Sequence, residues 1–328
     1  MTSLNASFAE EQRHINSAIS AAIDNLPPAV IPPARYVLEH GGKRLRPLLV
    51  VFTARLFGYT AADIYPLAAA MEFFHVATLL HDDVMDNAEL RRGQTATHKK
   101  FGVTEAILTG DALLAEGNRL IATYGDPRLT AAASDAISRT TAGEILEIAN
   151  QGKYSPDLNT YLDIIEGKTA WMIRTSCFIG ACRAGATDAE LPLAADYGRN
   201  LGMAFQVVDD ILDFSPSEQT GKPEGGDIRE GKLTPPIFYY LADLAARQPE
   251  KLEAFLAAFA SQNFTGQMVS ETVTAVRSSG CTESWKLADS CLQQAQKALI
   301  AMTSGNRTDS RYRDILAALI VQVKTRKH

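Results

Sequence analysis

Two acidic segments of this chain repeat one pattern, Asp-Asp-x-x-Asp. The first contains Asp82, Asp83 and Asp86, and the second contains Asp209, Asp210 and Asp213. Both lie in stretches with helical periodicity, and residues four apart share one face of a helix. Carboxylates that are packed together in this way repel one another and need a cation. Oxygen-only ligands suit Mg²⁺, which commonly bridges to phosphate oxygens, whereas zinc is less suited because no Cys or second His has the right spacing.

Small basic groups precede and follow both acidic segments along the chain. They lie beside glycines or in loops, and they comprise Lys43, Arg44 and Arg46, then Arg91 and Arg92, and then Lys168, Lys222 and Lys232. Arginine offers a planar fork to phosphate oxygens, and lysine offers a mobile point charge. Any one group alone is better explained as ordinary surface charge, but together with the carboxylates they indicate a diphosphate site. His75 lies seven residues before Asp82 on nearly the same helical face, which favours a contact with phosphate over a core histidine.

Long helices are expected to position these residues. Apolar residues recur every three or four positions over 62–87, 103–123, 129–151, 158–183, 188–214, 251–260, 284–302 and 310–324. No convincing series of alternating strand segments is present. Because no shift in composition separates two halves, we expect one all-α domain over residues 1–328, built as a single large bundle of long helices.

The composition excludes several classes of protein. The 328 residues include 32 Lys+Arg and 38 Asp+Glu, a formal net charge of −6, which argues against a nucleic-acid-binding protein. No apolar run reaches the roughly 18 residues of a membrane span, and the first residues lack the features of a secretory signal, so we expect a cytoplasmic protein. The four cysteines form no disulfide or zinc pattern. The basic end, 324–328, is interpreted as a solvated tail, and the alternative is that it helps to cover the diphosphates.

Six segments together resemble the all-trans polyprenyl diphosphate synthases, the farnesyl and geranylgeranyl diphosphate synthase-like enzymes. They are GGKRLRP at 41–47, HVATLLHDDVMDNAELRRG at 75–93, GDALLA at 110–115, EGKTA at 166–170, GMAFQVVDDILDF at 202–214 and GKPEGGDIREGKLTPPI at 221–237. The resemblance implies the isoprenoid synthase fold, a bundle of long helices around a deep central cavity, usually in a homodimer. It also implies a prenyltransferase that joins isopentenyl diphosphate to an allylic diphosphate and releases pyrophosphate.

The resemblance also implies roles for individual residues. Several Mg²⁺ ions on the allylic diphosphate would be bound by Asp82, Asp83, Asp86, Asp209, Asp210 and Asp213. The same diphosphate would be neutralised by Arg91, Lys168, Lys222 and Lys232. Isopentenyl diphosphate would be bound by Lys43, Arg46, His75 and Arg92. Thr169 and Gln206, together with Lys168, would lie beside the reacting carbon.

The length of the product is expected to depend on the helix that carries Asp82. Ala77 lies five residues earlier, about 7.5 Å along the axis, where short-chain relatives place a bulky aromatic residue. Ala77 and Thr78 leave this position open, which resembles longer-chain members such as octaprenyl diphosphate synthase and favours a product longer than farnesyl. Phe74 lies about 4.5 Å deeper and is a candidate floor of the tunnel. An equally good interpretation is that Phe73 and Phe74 only pack the core.

Three alternatives stay open at this point. A terpene cyclase would use a similar bundle and a similar first acidic segment, but it would not need a second diphosphate site. An HD-type metal phosphohydrolase would use the adjacent pair His81 and Asp82, and it would leave the second acidic segment unexplained. A non-catalytic subunit would not need to keep both aspartate triads complete.

Overall fold

A computed structural model describes residues 2–39, 42–155, 157–216, 224–304 and 308–326, with side chains from Ser7 onward. The chain divides into two compact units. Unit 1 contains residues 1–137, 175–195 and 302–315, and unit 2 contains residues 138–174, 196–301 and 316–328. The boundaries fall within long helices, and the expectation of a single domain over 1–328 stays a prediction.

Unit 1 is built mainly from the N-terminal helices. They are α1 (Thr2–Asp24), α2 (Ile31–Glu39), α3 (Leu45–Leu56), α4 (Ile64–Met85), α5 (Thr97–Phe101), α6 (Val103–Ala122) and the first part of α7 (Pro127–Asn150). A short antiparallel hairpin joins α4 to α5, with strands β1 (Leu90–Arg91) and β2 (Gln94–Thr95). Arg92 and Gly93 form its turn with positive φ angles, a conformation that glycine adopts without strain.

Close packing between α4 and α6 depends on two glycines of α6. A Cβ on Gly110 would lie 2.3 Å from His81 Nε2, and a Cβ on Gly117 would lie 2.5 Å from Cε1 of Phe74. Since both distances are far below van der Waals contact, a larger residue at either position would force the facing ring to shift or the two helices to move apart. The middle of α4 is therefore fully buried over Leu67–Phe74.

Unit 2 contains the second half of the chain. It includes the end of α7, α8 (Leu158–Ile165), a π-helical turn (Glu166–Ala170), the start of α9 (Trp171–Arg183) and most of α10 (Glu190–Leu212). The remaining helices are α11 (Gly226–Glu230), α12 (Pro235–Arg247), α13 (Pro249–Ser261), α14 (Gly266–Ser278), α15 (Gly280–Met302) and α16 (Ser310–Lys324), of which α16 begins in unit 1.

The all-α prediction is confirmed, because helices account for nearly all regular structure in the described ranges. The hairpin at 90–95 differs from the expectation, since strands of two residues are too short to show alternation. Within the residues that the structure describes, no helix combines the length and the apolar character needed to cross a membrane.

Candidate active site

A cavity of about 180 Å³ in unit 2 brings together several residues that the sequence predicts for the site. Lys168, Thr169, Gln206, Asp210 and Lys232 all line it. They come from the π-helical turn, from α10 and from the segment after α11, so residues more than 60 positions apart meet here. The fold thus brings five residues that the sequence analysis selected into one cavity.

The π-helical turn places Lys168 and Thr169 in the cavity wall. Two glycines allow its backbone to lie directly against α7: a Cβ on Gly143 would be 2.4 Å from the amide nitrogen of Lys168, and a Cβ on Gly167 would be 2.8 Å from the carbonyl oxygen of Arg139. Glu166 anchors the start of the turn, because its Oε1 accepts a hydrogen bond of 2.7 Å from Nε of Arg199. Single π turns of this kind often occur at functional sites.

Carboxylates from α7 surround the Lys168 ammonium group. Lys168 Nζ lies 2.5 Å from Glu147 Oε2 and 2.8 Å from Glu144 Oε2. Burial alone would lower the pKa of Lys168, but Glu147 and Glu144 outweigh it and raise that pKa. Lys232 pairs with Glu230 at 2.7 Å, and the charge of Glu147 also helps to raise the pKa of Lys232. Both lysines are therefore held charged inside the cavity.

The sequence analysis did not find Glu144 or Glu147. Their Glu-x-x-Glu spacing on the amphipathic α7 was the available signal, because residues three apart share a helix face. The same spacing occurs on solvated faces of many helices. Without the contact to Lys168, these two glutamates could not be told apart from ordinary surface residues.

The second aspartate cluster has protein partners at each of its three carboxylates. Asp209 Oδ1 accepts from Arg326 at 2.5 Å, and the oxygens of Asp213 accept from the backbone N–H groups of Gly226 and Asp227 at 3.1 Å each. Asp210 is buried, and its two oxygens accept from Tyr161 and Gln206. Arg326 also lies 4.2 Å from the ring centre of Phe205. Arg326 therefore packs against this cluster and is not part of a solvated tail.

Asp227 adds a fourth carboxylate to this cluster. Its Oδ2 is buried and has no hydrogen-bond partner among the described residues. Burial, followed by the charges of Asp210 and Asp213, raises the pKa of Asp227 well above its usual range. The residue stands in the GKPEGGDIREGK segment that carries the resemblance, but it lies outside the Asp-Asp-x-x-Asp pattern.

The first aspartate cluster lies at the end of α4 in unit 1. Asp82 is half-buried and Asp86 is exposed, whereas Asp83 is only 2% exposed. Asp83 Oδ1 accepts a hydrogen bond of 2.7 Å from Nε of Arg91. Arg91, which was predicted to contact a diphosphate, is thus paired with one of the predicted metal ligands.

Several basic side chains converge near His75 in unit 1. Burial is the largest cause that lowers the pKa of His75, followed by the charges of Arg46, Arg92, Arg91 and Arg44. The pKa of Arg46 is also lowered, to about 10; burial is the largest cause, the charge of Glu72 opposes the shift, and the charge of Arg92 adds to it. Arg46 Nε is buried without a hydrogen-bond partner in the described part of the chain. A group of cations with an unpartnered buried N–H suits an anion, and binding of isopentenyl diphosphate here stays a prediction.

Two neighbouring positions complete this basic group. Gly42 has a φ of +126°, which favours glycine, and a Cβ there would lie 2.7 Å from Nη1 of Arg92, so the guanidinium group would have to shift. Lys43 is exposed beside it. Arg44 is instead structural, because its Nη1 pairs with the buried Glu72 at 2.6 Å.

The predicted chain-length residues all lie on α4. Phe74 and Ala77 are fully buried, and Thr78 is half-buried with its hydroxyl donating to the His75 carbonyl oxygen at 2.8 Å. His81, the residue that a phosphohydrolase would use, lies 3.1 Å from the carbonyl oxygen of Ile107. Lys222 lies outside the described residues.

The polyprenyl synthetase family matches residues 27–273. The chain belongs to this family. It is 36% identical over 263 residues to heptaprenyl diphosphate synthase component 2 of Geobacillus stearothermophilus, with 80% of each chain covered. It is 34% identical over 239 residues to octaprenyl diphosphate synthase of Escherichia coli (strain K12), covering 72% of this chain and 73% of that protein.

A solved structure supports the same assignment. Polyprenyl synthase from Caulobacter crescentus CB15, complexed with calcium and isoprenyl diphosphate, superposes with a TM-score of 0.89 at 33% identity, covering 99% of this chain and 97% of that one. The predicted family and the predicted class of enzyme, a prenyltransferase, are therefore confirmed. None of these matches supports the alternatives considered above.

The residues of both aspartate clusters fit a divalent cation by their chemistry. Each cluster offers only carboxylate oxygens, the donors that Mg²⁺ prefers, and the unpartnered Asp227 Oδ2 is an acceptor that a nearby cation would satisfy. Across the described ranges, no three His, Cys, Asp or Glu side chains stand close enough together to form a metal site. In this arrangement Asp209 is held by Arg326 and Asp213 by two backbone N–H groups.

Proposed function

We propose that this prenyltransferase joins isopentenyl diphosphate head to tail to an allylic diphosphate, depends on Mg²⁺, and makes an all-trans product longer than farnesyl. The observation that carries this proposal is the unit 2 cavity, where two charged lysines lie beside the polar pair Thr169 and Gln206. Cations for a leaving diphosphate and oxygens for a developing carbocation are the two needs of this reaction.

The allylic diphosphate is proposed to bind where Lys168 and Lys232 can neutralise it, with Arg91 and Lys222 as further cations. Mg²⁺, bound by the aspartates of both clusters, would stabilise the negative charge that develops on the leaving pyrophosphate. The Caulobacter crescentus polyprenyl synthase is complexed with calcium and isoprenyl diphosphate, which supports the proposed use of a divalent ion.

The reacting carbon is proposed to lie beside Thr169 and Gln206. When the allylic carbon–oxygen bond breaks, its electron pair leaves with the pyrophosphate and the carbon becomes positive. The oxygen atoms of these two side chains stabilise that charge. The double bond of isopentenyl diphosphate then attacks, and the proton that the new chain loses is taken by pyrophosphate.

Isopentenyl diphosphate is proposed to bind at the basic group of unit 1. Arg46 and Arg92 would bind its phosphate oxygens, and the exposed Lys43 would add a mobile charge. His75, kept neutral by burial and by the surrounding arginines, can donate a hydrogen bond without adding positive charge.

The product is proposed to extend along α4, past Ala77 and Thr78, with Phe74 as the floor. The heptaprenyl and octaprenyl products named for two relatives agree with a chain longer than farnesyl. We also propose a homodimer, which sedimentation of the purified chain would test. Cytoplasmic localisation stays a prediction.

Release of pyrophosphate tests this function. With Mg²⁺, release is expected only when isopentenyl diphosphate and an allylic diphosphate are both present, and chelation of the metal should stop it. A terpene cyclase would release pyrophosphate from the allylic substrate alone. Chromatography of products from labelled isopentenyl diphosphate with geranyl, farnesyl and geranylgeranyl primers would give the chain length, and a farnesyl end product would refute the longer-chain proposal.

A further inference from the structure

Three hydrogen bonds in unit 2 link four side chains in a row. The Tyr161 hydroxyl donates to Asp210 Oδ2 at 2.5 Å, Gln206 Nε2 donates to Asp210 Oδ1 at 2.9 Å, and the Thr169 hydroxyl donates to Gln206 Oε1 at 2.8 Å. All four residues line the same cavity. We name this row the Tyr161–Thr169 relay.

The relay determines which way the amide of Gln206 faces. The amide nitrogen can only donate and the amide oxygen can only accept, so it is the nitrogen that hydrogen-bonds to the Asp210 carboxylate. The oxygen is consequently turned toward Thr169, which is the side where the proposed reaction develops positive charge. A flipped amide would instead direct N–H groups, with their positive partial charge, at that carbon.

Asp210 itself is held by Tyr161. Asp210 is 6% exposed and Tyr161 is 5% exposed, so their hydrogen bond is shielded from bulk water. Tyr161 lies on α8 and Asp210 on α10, and the hydroxyl therefore ties the carboxylate to a second helix. Without it, Asp210 can rotate and the amide of Gln206 loses its fixed orientation.

We propose that Tyr161 is a positioning residue for prenyl transfer, which acts through Asp210 to keep the Gln206 oxygen toward the reacting carbon. The inference rests on the proposed function. It also divides the second aspartate cluster by role. Asp210, which is buried between Tyr161 and Gln206, orients Gln206, while the half-buried Asp209 and Asp213 carry the metal-binding role.

The fate of the allylic cation within one turnover reports this orientation. After the carbon–oxygen bond breaks, the cation is captured either by isopentenyl diphosphate, which then loses a proton, or by water, which gives a prenyl alcohol and a proton. The fraction of alcohol among the products does not depend on how much of the enzyme is folded. A merely structural role of Tyr161 would therefore not change it.

The test compares Tyr161→Phe with Tyr197→Phe in the full chain, using farnesyl diphosphate, labelled isopentenyl diphosphate and Mg²⁺. Tyr197 is a matched control, because its fully buried hydroxyl donates to the Leu316 carbonyl oxygen at 2.8 Å and does not line the cavity. We expect Tyr161→Phe to lower kcat by about tenfold, the upper range for loss of one hydrogen bond, with KM and Mg²⁺ half-saturation within about twofold. Its alcohol fraction should rise several-fold, whereas Tyr197→Phe should lower only Tm.

A double-mutant cycle tests whether Tyr161 acts through Gln206. The alcohol fraction of Gln206→Ala should not rise further when Tyr161→Phe is added. The double variant lacks the Gln206 amide, so Tyr161 has no group to orient through Asp210. Should Tyr161→Phe not fold, Asp210→Asn carries the same test, with kcat lowered, alcohol raised and Mg²⁺ half-saturation unchanged.

Distinct outcomes overturn the inference and the proposed function. An unchanged alcohol fraction in Tyr161→Phe, an equal rise in Tyr197→Phe, or a raised Mg²⁺ requirement as the main effect would overturn the role of Tyr161. If the wild-type chain instead forms no condensation product from these two substrates, the proposed function itself fails.

Discussion

Replacing Phe74 with alanine is expected to lengthen the polyprenyl product. The ring is fully buried in α4, and its Cε1 atom lies against Gly117 of α6, 2.5 Å from where a Cβ would be. Because Ala77 precedes it on the proposed path of the chain, the ring is the first bulky group that a growing tail would meet. Truncation opens space at the end of that path.

The size of the effect follows from the buried ring. Phe74→Ala removes about six carbons at ~0.8 kcal/mol each, or ~5 kcal/mol, which agrees with the ~3–5 kcal/mol typical of such truncations. The volume released is comparable to one isoprenyl unit, so we expect the main product to gain about one unit. The loss of stability should be smaller when the product fills the space.

Phe73→Ala provides the matched control for the assay. Phe73 is equally buried, but it is the adjacent residue and points to another side of α4. Both variants should lose similar stability in urea unfolding, and only Phe74→Ala should shift the product profile obtained with labelled isopentenyl diphosphate. A shift of equal size in both variants, or an unchanged profile in Phe74→Ala, would refute Phe74 as the floor.

Three further perturbations follow from the charges of the site. The pKa of His75 is held well below 6.5 in the folded chain, so on acidification the unfolded chain takes up a proton that the folded chain does not. The free energy of unfolding should therefore fall as pH drops, and near pH 5.5 it should be about 1.4 kcal/mol lower than at a pH well above 6.5. Arg326→Ala should lower the Mg²⁺ concentration for half-maximal rate several-fold, because Arg326 pairs with Asp209. Glu147→Gln should tighten inhibition by pyrophosphate about fivefold, because Lys168 then loses a competing carboxylate.

Each of these perturbations has a control in the same chain. His75→Gln should remove that share of the acid destabilisation, and an unchanged pH profile would contradict the assignment. Lys324→Ala breaks only the surface pair with Asp289, so it should leave the Mg²⁺ requirement unchanged. Glu144→Gln removes the longer of the two contacts to Lys168, so a larger effect there than in Glu147→Gln would be inconsistent with the distances.

Much of the helical fold follows from apolar periodicity, as α4 shows. The predicted helix over 62–87 corresponds to Ile64–Met85. The hairpin at 90–95 was not predicted, because its four paired residues carry no periodic signal. It depends on positive φ angles at Arg92 and Gly93. The π-helical turn was also not predicted. It depends on glycines of two segments that meet only in the folded chain.

The site was predictable where a motif contains chemically distinct residues. Lys168, Thr169 and Gln206 stand in such motifs, and the fold brings all three to one cavity. Tyr161 and Glu147 stand in ordinary amphipathic helices, and their importance comes from long-range contacts. Arg326 lies in a basic tail, whose composition equally suits a solvated segment.

The most direct measurement is a crystal structure of the full chain with Mg²⁺, isopentenyl diphosphate and an unreactive thiodiphosphate analogue of the allylic substrate. We expect metal ions on one diphosphate to be bound by Asp82 or Asp86 of the first cluster and by Asp209 or Asp213 of the second, with Arg326 displaced from Asp209. Metal ions bound by one cluster alone, or clusters occupied by separate diphosphates, would contradict the proposed mechanism.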